Sequence, residues 1–212
     1  MTTLEERIER LESLDSIRQL VSKYSLALDV RDLDAMVSLF PDNVKVGKNN
    51  SGRLALKKWF DATLRDQFTG TAHHIGNHII DFNDSHNAHG VVYSKNEHET
   101  ENEWIIMQMM YWDDYISIDG TWLFKRRLPL YWYASDLNHP PIGNNKMRWP
   151  GIDPYEGEFH SLWPSGNSDE LDHRNESAGD RKIEIRCRCE KPDAIRRKQG
   201  DVQKSNECCN RG

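Results

Sequence analysis

The chain has 212 residues, 29% of them charged, with a formal net charge of −6 and a mean hydropathy of −0.81. That length suits one domain with a sizeable core and a tail. No basic stripe with interleaved aromatics argues for nucleic acid, no run approaches the roughly 20 apolar residues of a membrane helix, and Met1-Thr-Thr-Leu-Glu-Glu-Arg7 holds no apolar signal region, so a cytoplasmic protein without a membrane partner is expected.

Thr3-x-x-Glu6 reads as a capping box that opens a helix. Leu4, Ile8, Leu11, Leu14, Ile17, Val21, Tyr24 and Leu28 then recur at helical spacing, with room for a break near Ser13–Asp15. Asp29 follows at the C-terminal end of this helix. The negative end of the helix dipole is unfavourable there for a carboxylate, so Asp29 needs a cationic or hydrogen-bonding partner. Asp32 is placed to cap a short second helix, Leu33–Phe40, closed by Pro41. A short strand over Asn43–Val46 and a turn at Lys48–Gly52 come next. Leu54, Leu56, Trp59, Phe60 and Leu64 mark a third helix.

The stretch Thr71-Ala-His-His-Ile-Gly-Asn-His-Ile-Ile-Asp-Phe82 holds three of the nine histidines and ends in β-branched and aromatic residues. As an uninterrupted strand it shows His73, Ile75, Asn77 and Ile79 on one face and His74, Gly76, His78 and Ile80 on the other. One face must enter the interior, and an imidazole there is a proton carrier near neutral pH. A meander follows: a turn at Asp84–Asn87, a strand at Ala88–His98, a charged hairpin end at Lys95–Glu103, a long aromatic strand at Trp104–Ile118, the hairpin signal Asp119-Gly120 and a last strand at Thr121–Tyr133. Helices first and antiparallel strands after predict an α+β domain. Met147–Pro164, with Trp149, Tyr155, Phe159 and Trp163, reads as packed on it. The composition predicts a domain over residues 1–165 and a disordered polar tail over 166–212, which holds too few large apolar residues to offset its ordering entropy. The break is abrupt enough to suggest an altered reading frame or an appended end. The cysteines, Cys187, Cys189, Cys208 and Cys209, all fall in that tail, which excludes a disulfide framework for the domain. Their spacing is a poor match to zinc sites.

Several elements occur in a telling order: Tyr24-x-x-x-x-Asp29, Asp32-x-Asp34-x-x-x-x-Leu39-Phe40, Thr71-x-His73-x-x-x-Asn77, Tyr111-x-Asp113-x-Tyr115, Asp119-Gly120-x-Trp122 and Arg126-Arg127. Over roughly Leu4–Tyr133 the chain resembles the SnoaL-like branch of the nuclear transport factor 2 (NTF2-like) superfamily. Among that family's enzymes it is most similar to hexachlorocyclohexane dehydrochlorinase, scytalone dehydratase and bile acid dehydratase. The resemblance implies an NTF2-like cone: N-terminal helices packed on a strongly curved, mostly antiparallel sheet that encloses a cavity. It also implies that Asp29 orients His73 and that His73 takes a proton from the substrate. The chemistry of the residues agrees, because a carboxylate on one ring nitrogen fixes the tautomer and stabilises the imidazolium. Arg127 falls where the dehydrochlorinase has an arginine, and a cation there can stabilise a departing anion or an oxyanion. Tyr24 stands where that enzyme has a lysine, which suits a dehydratase better than a chloride-eliminating enzyme.

The resemblance implies a lyase, a dehydratase or a related eliminating enzyme, acting on an apolar cyclic small molecule, and as no metal or nucleotide motif occurs in the sequence it is expected to be cofactor-free. Asp29, His73, Arg127 and Tyr24 are the candidate catalytic residues. His74, as the alternative base if the strand register slips by one, joins Asn77, Trp104, Met107, Tyr111 and Trp132 as candidate substrate contacts. Two alternatives stay open: a ketosteroid-isomerase-like proton shuttle with Asp29 or Asp113 as base, and a non-catalytic binding or assembly protein on the same fold. The resemblance also implies a homodimer or homotrimer, with the strand over Trp104–Tyr115 as one possible interface.

Overall fold

The structure is a computed structural model that describes residues 3–65, 67–149 and 153–159. Helix α1 (Leu4–Asp29) opens on the expected capping box, in which Thr3 accepts from the Glu6 N–H at 3.1 Å and the Glu6 carboxylate accepts from the Thr3 N–H at 2.7 Å. It runs without the break allowed for at Ser13–Asp15, since no glycine or proline there interrupts the hydrogen-bond ladder. The apolar stripe is nevertheless divided. Ile17, Leu20, Val21, Tyr24, Ala27 and Leu28 are buried, whereas Leu4, Ile8 and Leu11 remain exposed because the helix outruns the sheet beneath it. Each large side chain of the buried half contributes about 1.5–3 kcal/mol.

Past Asp29, the Arg31 N–H donates to the Leu28 carbonyl and the Asp32 N–H to the Ala27 carbonyl, which closes the helix in a left-handed cap. The residue in the left-handed conformation is Arg31, with φ 60°, where glycine is usual. A side chain there costs about 1 kcal/mol. Helix α2 (Leu33–Ser38) is capped by Asp32 and stops two residues short of the expected Phe40, whose ring turns into the core. Strands β1 (Lys45–Val46) and β2 (Asn50–Ser51) form a small hairpin, so the segment expected to be only a turn contains a strand. Helix α3 spans Arg53–Arg65.

The main sheet has four antiparallel strands in the order β3 (Gly70–Phe82), β4 (Asn87–Glu99), β5 (Trp104–Ile118) and β6 (Thr121–Asp136). It is curved but not closed, and β3 and β6 are its edges. Asp119, with φ 50°, and Gly120, with φ 77°, make the tight β5–β6 turn that the sequence signals. Helix α1 lies against β3 and β6 on the inner face. Period-2 alternation sends Val92, Ser94, Asn96 and His98 of β4 inward, and Met107, Met109, Tyr111, Asp113 and Tyr115 of β5. This is the α+β arrangement expected, with N-terminal helices on a bent antiparallel sheet.

Three bulges break the expected alternation; one falls at Lys125, between the Asp114–Arg126 and Tyr115–Phe124 pairs, and the other two move candidate site residues. In β3, Ile75 pairs with Ser94 and His78 with Val92, so Gly76 and Asn77 together oppose Tyr93. The added residue swaps faces beyond it. His78 therefore turns inward, and Asn77, predicted to share a face with His73, turns outward and is exposed. In β6, Met109 pairs with Tyr131 and Gln108 with Tyr133, so Trp132 is the extra residue between them. Tyr131 packs on the core. Trp132 instead stacks on Tyr93 at 6.4 Å and on Phe159 at 4.6 Å.

The chain after β6 returns along the sheet. Met147 bridges to Ala134 and Tyr155, and the Tyr131 N–H donates to the Glu158 carboxylate at 2.8 Å. Trp163, Pro164, the tail over 166–212 and all four cysteines lie outside the described residues. No helix among the described residues is long and apolar enough to cross a membrane.

Candidate active site

Asp29, the last residue of α1, faces the start of β3. Its Oδ1 lies 2.6 Å from His73 Nδ1, and its Oδ2 accepts the His73 backbone N–H at 2.8 Å. Thr71 Oγ1 donates to the same Oδ1 at 3.0 Å. The helix-end carboxylate thus has the partners that its position demanded. Burial pushes the Asp29 carboxyl up, but the His73 ring and backbone N–H and the Thr71 hydroxyl outweigh this and hold it below its ordinary value. As a carboxylate it accepts, so Nδ1 carries the hydrogen and Nε2 keeps a basic lone pair. The His73 side chain is only 5% exposed.

Beside it lies His98 of β4, with ring centroids 5.6 Å apart. His98 also packs on Phe68 and Trp149, and its Nδ1 is buried without a hydrogen-bond partner. Burial, with the nearby His73, pushes this imidazole down to about 3, so it is neutral at physiological pH. Trp149 also lines an open groove of about 460 Å³, with Glu103, Ser135, Asp136, His139 and Arg148 among its walls.

Deeper along the inner face, Arg127 and Asp113 form a bidentate pair with Nε–Oδ1 and Nη2–Oδ2 both at 2.9 Å. Their side chains are 4% and 0% exposed. The guanidinium lies 4.3 Å above the Tyr24 ring, 4.1 Å from Tyr111 and 4.4 Å from Phe124. Arg127 Nη1 is buried and makes no hydrogen bond. Burial pushes the Asp113 carboxyl up, opposed by the guanidinium and by the Tyr115 hydroxyl, which donates to Oδ2 at 2.9 Å. Tyr115 in turn meets His78 Nε2 at 3.0 Å. Burial first, then Arg127 and Arg18, push His78 down to about 4. Gly90 makes room for this chain, because a Cβ there would meet the Ile79 carbonyl at 2.5 Å and the Tyr115 ring at 3.2 Å. Asp113 is 0% exposed and already accepts three hydrogen bonds, from Arg127 Nε and Nη2 and from Tyr115, which disfavours it as the base of the isomerase alternative.

Burial pushes the Tyr111 hydroxyl up, Arg127 and the Asn96 hydrogen bond oppose this, and the Asp113 and Asp29 charges add to it. That hydroxyl accepts from Asn96 Nδ2 at 3.2 Å, which leaves its own proton to donate. Ser94 Oγ fixes the Asn96 amide by donating to its Oδ1. Tyr24 packs edge-on against Phe40, Phe60, Tyr111 and Phe124, in a core position.

Other expected contacts lie elsewhere. His74 is exposed on the outer face, as the alternation from His73 requires. Asn77 is exposed through the β3 bulge, and Trp132 faces outward through the β6 bulge. Trp104, 42% exposed, sits at the sheet margin where β5 begins. Met107 is buried but packs with Ile105, Ala134 and Met147 in a second cluster. Conversely, Asn96 and His98 border the site though the sequence did not mark them, and Thr71, known only as part of the His73 motif, contacts Asp29. Continuing the inward series Ala88, Gly90 and Val92 by twos reaches Ser94, Asn96 and His98, which was the available signal.

The sequence profile of the SnoaL-like domain matches residues 9–128. No curated protein matches the chain at a significant level. Among solved structures, a candidate scytalone dehydratase from Novosphingobium aromaticivorans is 28% identical, with 61% of this chain and 91% of that one covered at a TM-score of 0.56. A type 2 hexachlorocyclohexane dehydrochlorinase is 20% identical, with coverage of 69% and 99% and a TM-score of 0.58. The type 3 dehydrochlorinase of Novosphingobium barchaimii is 18% identical, with coverage of 62% and 94% and a TM-score of 0.57. The helix-on-sheet architecture and the profile match across more than half of the sequence agree, and the chain belongs to the SnoaL-like domain family.

Proposed function

We propose that the protein is a cofactor-free dehydratase, or a related eliminating enzyme, acting on an uncharged cyclic small molecule that carries a carbonyl next to the proton lost. The observation that carries this is the 2.6 Å contact between Asp29 Oδ1 and His73 Nδ1, which leaves Nε2 as a base in a nearly buried position. His73 Nε2 takes the substrate Cα proton, and the C–H electron pair moves toward the carbonyl as an enolate. Asp29 stabilises the imidazolium formed. The enolate then collapses, the new C=C bond forms and the C–O bond breaks. The imidazolium returns its proton to the leaving hydroxyl, so water departs without an external acid. The Tyr111 hydroxyl and Arg127 Nη1 are the free donors for the oxyanion. Tyr24 supports Arg127 through its ring.

The isomerase alternative with Asp29 itself as base is disfavoured by the same geometry. Oδ1 takes two hydrogen bonds and Oδ2 one, so the imidazole is the freer base. The solved relatives named as dehydratase and dehydrochlorinase support a lyase over a pure binding protein. We also propose a cytoplasmic homodimer or homotrimer. A screen of cyclic β-hydroxy ketones for loss of water, run beside Asp29→Asn, tests the proposal. Turnover by the native protein and a loss of about 10²-fold or more in the variant is expected. Binding without turnover across the screen would instead support the non-catalytic alternative.

A further inference from the structure

We propose that Thr71 and Arg31 are positioning residues for the Asp29–His73 pair, and that the left-handed backbone at Arg31 is kept for that purpose. This rests on His73 being the base, but the geometry that motivates it is independent of any substrate. Helix α1 ends in a cap whose left-handed position ordinarily belongs to glycine. Here Arg31 occupies it at φ 60°. A strained position held by a residue that dislikes it calls for a reason in its side chain.

The side chain doubles back over the helix end. Arg31 Nη1 donates to the Leu28 carbonyl at 3.0 Å and to Thr71 Oγ1 at 2.9 Å. A hydroxyl that accepts from a guanidinium turns its own proton elsewhere, and Thr71 Oγ1 lies 3.0 Å from Asp29 Oδ1. Arg31 therefore sets the direction of the Thr71 hydroxyl, and the hydroxyl sets the carboxylate. Asp29 is held by three donors: the Thr71 hydroxyl, the His73 backbone N–H and the His73 ring. The two that are not the ring fix the carboxylate plane before the imidazole meets it. This chain of hydrogen bonds also joins the two elements that supply the pair, since Asp29 ends α1 and Arg31 lies in its cap, while Thr71 and His73 lie at the start of β3. The guanidinium further opposes the negative end of the α1 dipole, which would otherwise act on Asp29. The other titratable ring near the pair, His98 of β4, is no part of this chain.

Proton NMR of the full chain at neutral pH reads the arrangement without a substrate, through the His73 Nδ1–H resonance and its exchange with water. Thr71→Val should raise that exchange rate about tenfold or more, and Thr71→Ser should restore it. Arg31→Gly relieves the backbone, so its melting temperature should equal or exceed that of the native chain while the exchange rate still rises. Turnover of the β-hydroxy ketone found by screening should show kcat lowered about tenfold in Thr71→Val and Arg31→Gly, with KM within about twofold. Native exchange in folded Thr71→Val, or native exchange in Arg31→Gly, would overturn the proposal. If His73→Ala keeps full activity while the exchange effects appear, the positioning chain stands and the dehydratase assignment fails.

Discussion

Lowering the pH from 7 to 5 should weaken the fold through His98, and the size follows from its surroundings. The ring is 6% exposed, its Nδ1 has no partner, and its pKa is pushed from 6.5 down to about 3. In the unfolded chain the same ring takes a proton below about pH 6.5. Between those limits the unfolded state binds one more proton than the folded state, so stability falls as pH falls. Integrated from pH 7 to 5, this amounts to about 2 kcal/mol for His98 alone. His78, pushed down to about 4, acts in the same direction, but it is only partly buried and water screens part of the effect. Urea denaturation at the two pH values measures the loss. His98→Phe keeps a ring against Phe68 and Trp149 and removes the titration, so its loss should be smaller than the native one by about 2 kcal/mol. Equal losses in the native chain and in His98→Phe would show that His98 accepts its proton within the fold, and the buried, neutral description would fail.

Three further perturbations separate the parts of the inner face. Asp113→Asn leaves the Arg127 charge buried without its carboxylate and should cost about 3–5 kcal/mol in chemical denaturation. Tyr111→Phe removes the hydroxyl donor whose ring lies 4.1 Å from the Arg127 guanidinium; kcat should fall about tenfold or more, with a melting temperature within a few degrees of native. His74→Ala and Asn77→Ala, both on the outer face, should change stability by no more than about 0.5 kcal/mol and leave kcat unchanged, as parallel melts and rate assays would show.

The capping box at Thr3, the Asp119-Gly120 turn and the extent of the Trp104–Ile118 strand were legible from local spacing. The charge at the end of α1 demanded a partner for Asp29, but only the family resemblance pointed to His73. The bulges were not legible. One extra residue at Gly76-Asn77 exchanged the faces of Asn77 and His78, and another at Trp132 put Tyr131 inward in its place. Such insertions are set by how strands pair across the sheet and leave little trace in one strand's composition. His98 escaped notice for a related reason. It lies in a charged run that reads as a solvated hairpin end, yet strict alternation from Val92 carries Ser94, Asn96 and His98 into the interior. The apolar stripe of α1 was visible, but only the sheet's extent decided that Leu4, Ile8 and Leu11 stay exposed. The pairing of Arg127 with Asp113 followed from strand register, which places the two directly opposite each other.

The role of His73 is tested most directly by comparing single-turnover rates of native protein, His73→Ala and His74→Ala on a β-hydroxy ketone that the native protein dehydrates. His73→Ala should lower the rate by about 10²–10⁴-fold while keeping the native circular dichroism spectrum, and His74→Ala should match the native rate. A His73→Ala protein that is folded and as fast as the native one would contradict the assignment of His73 as the base.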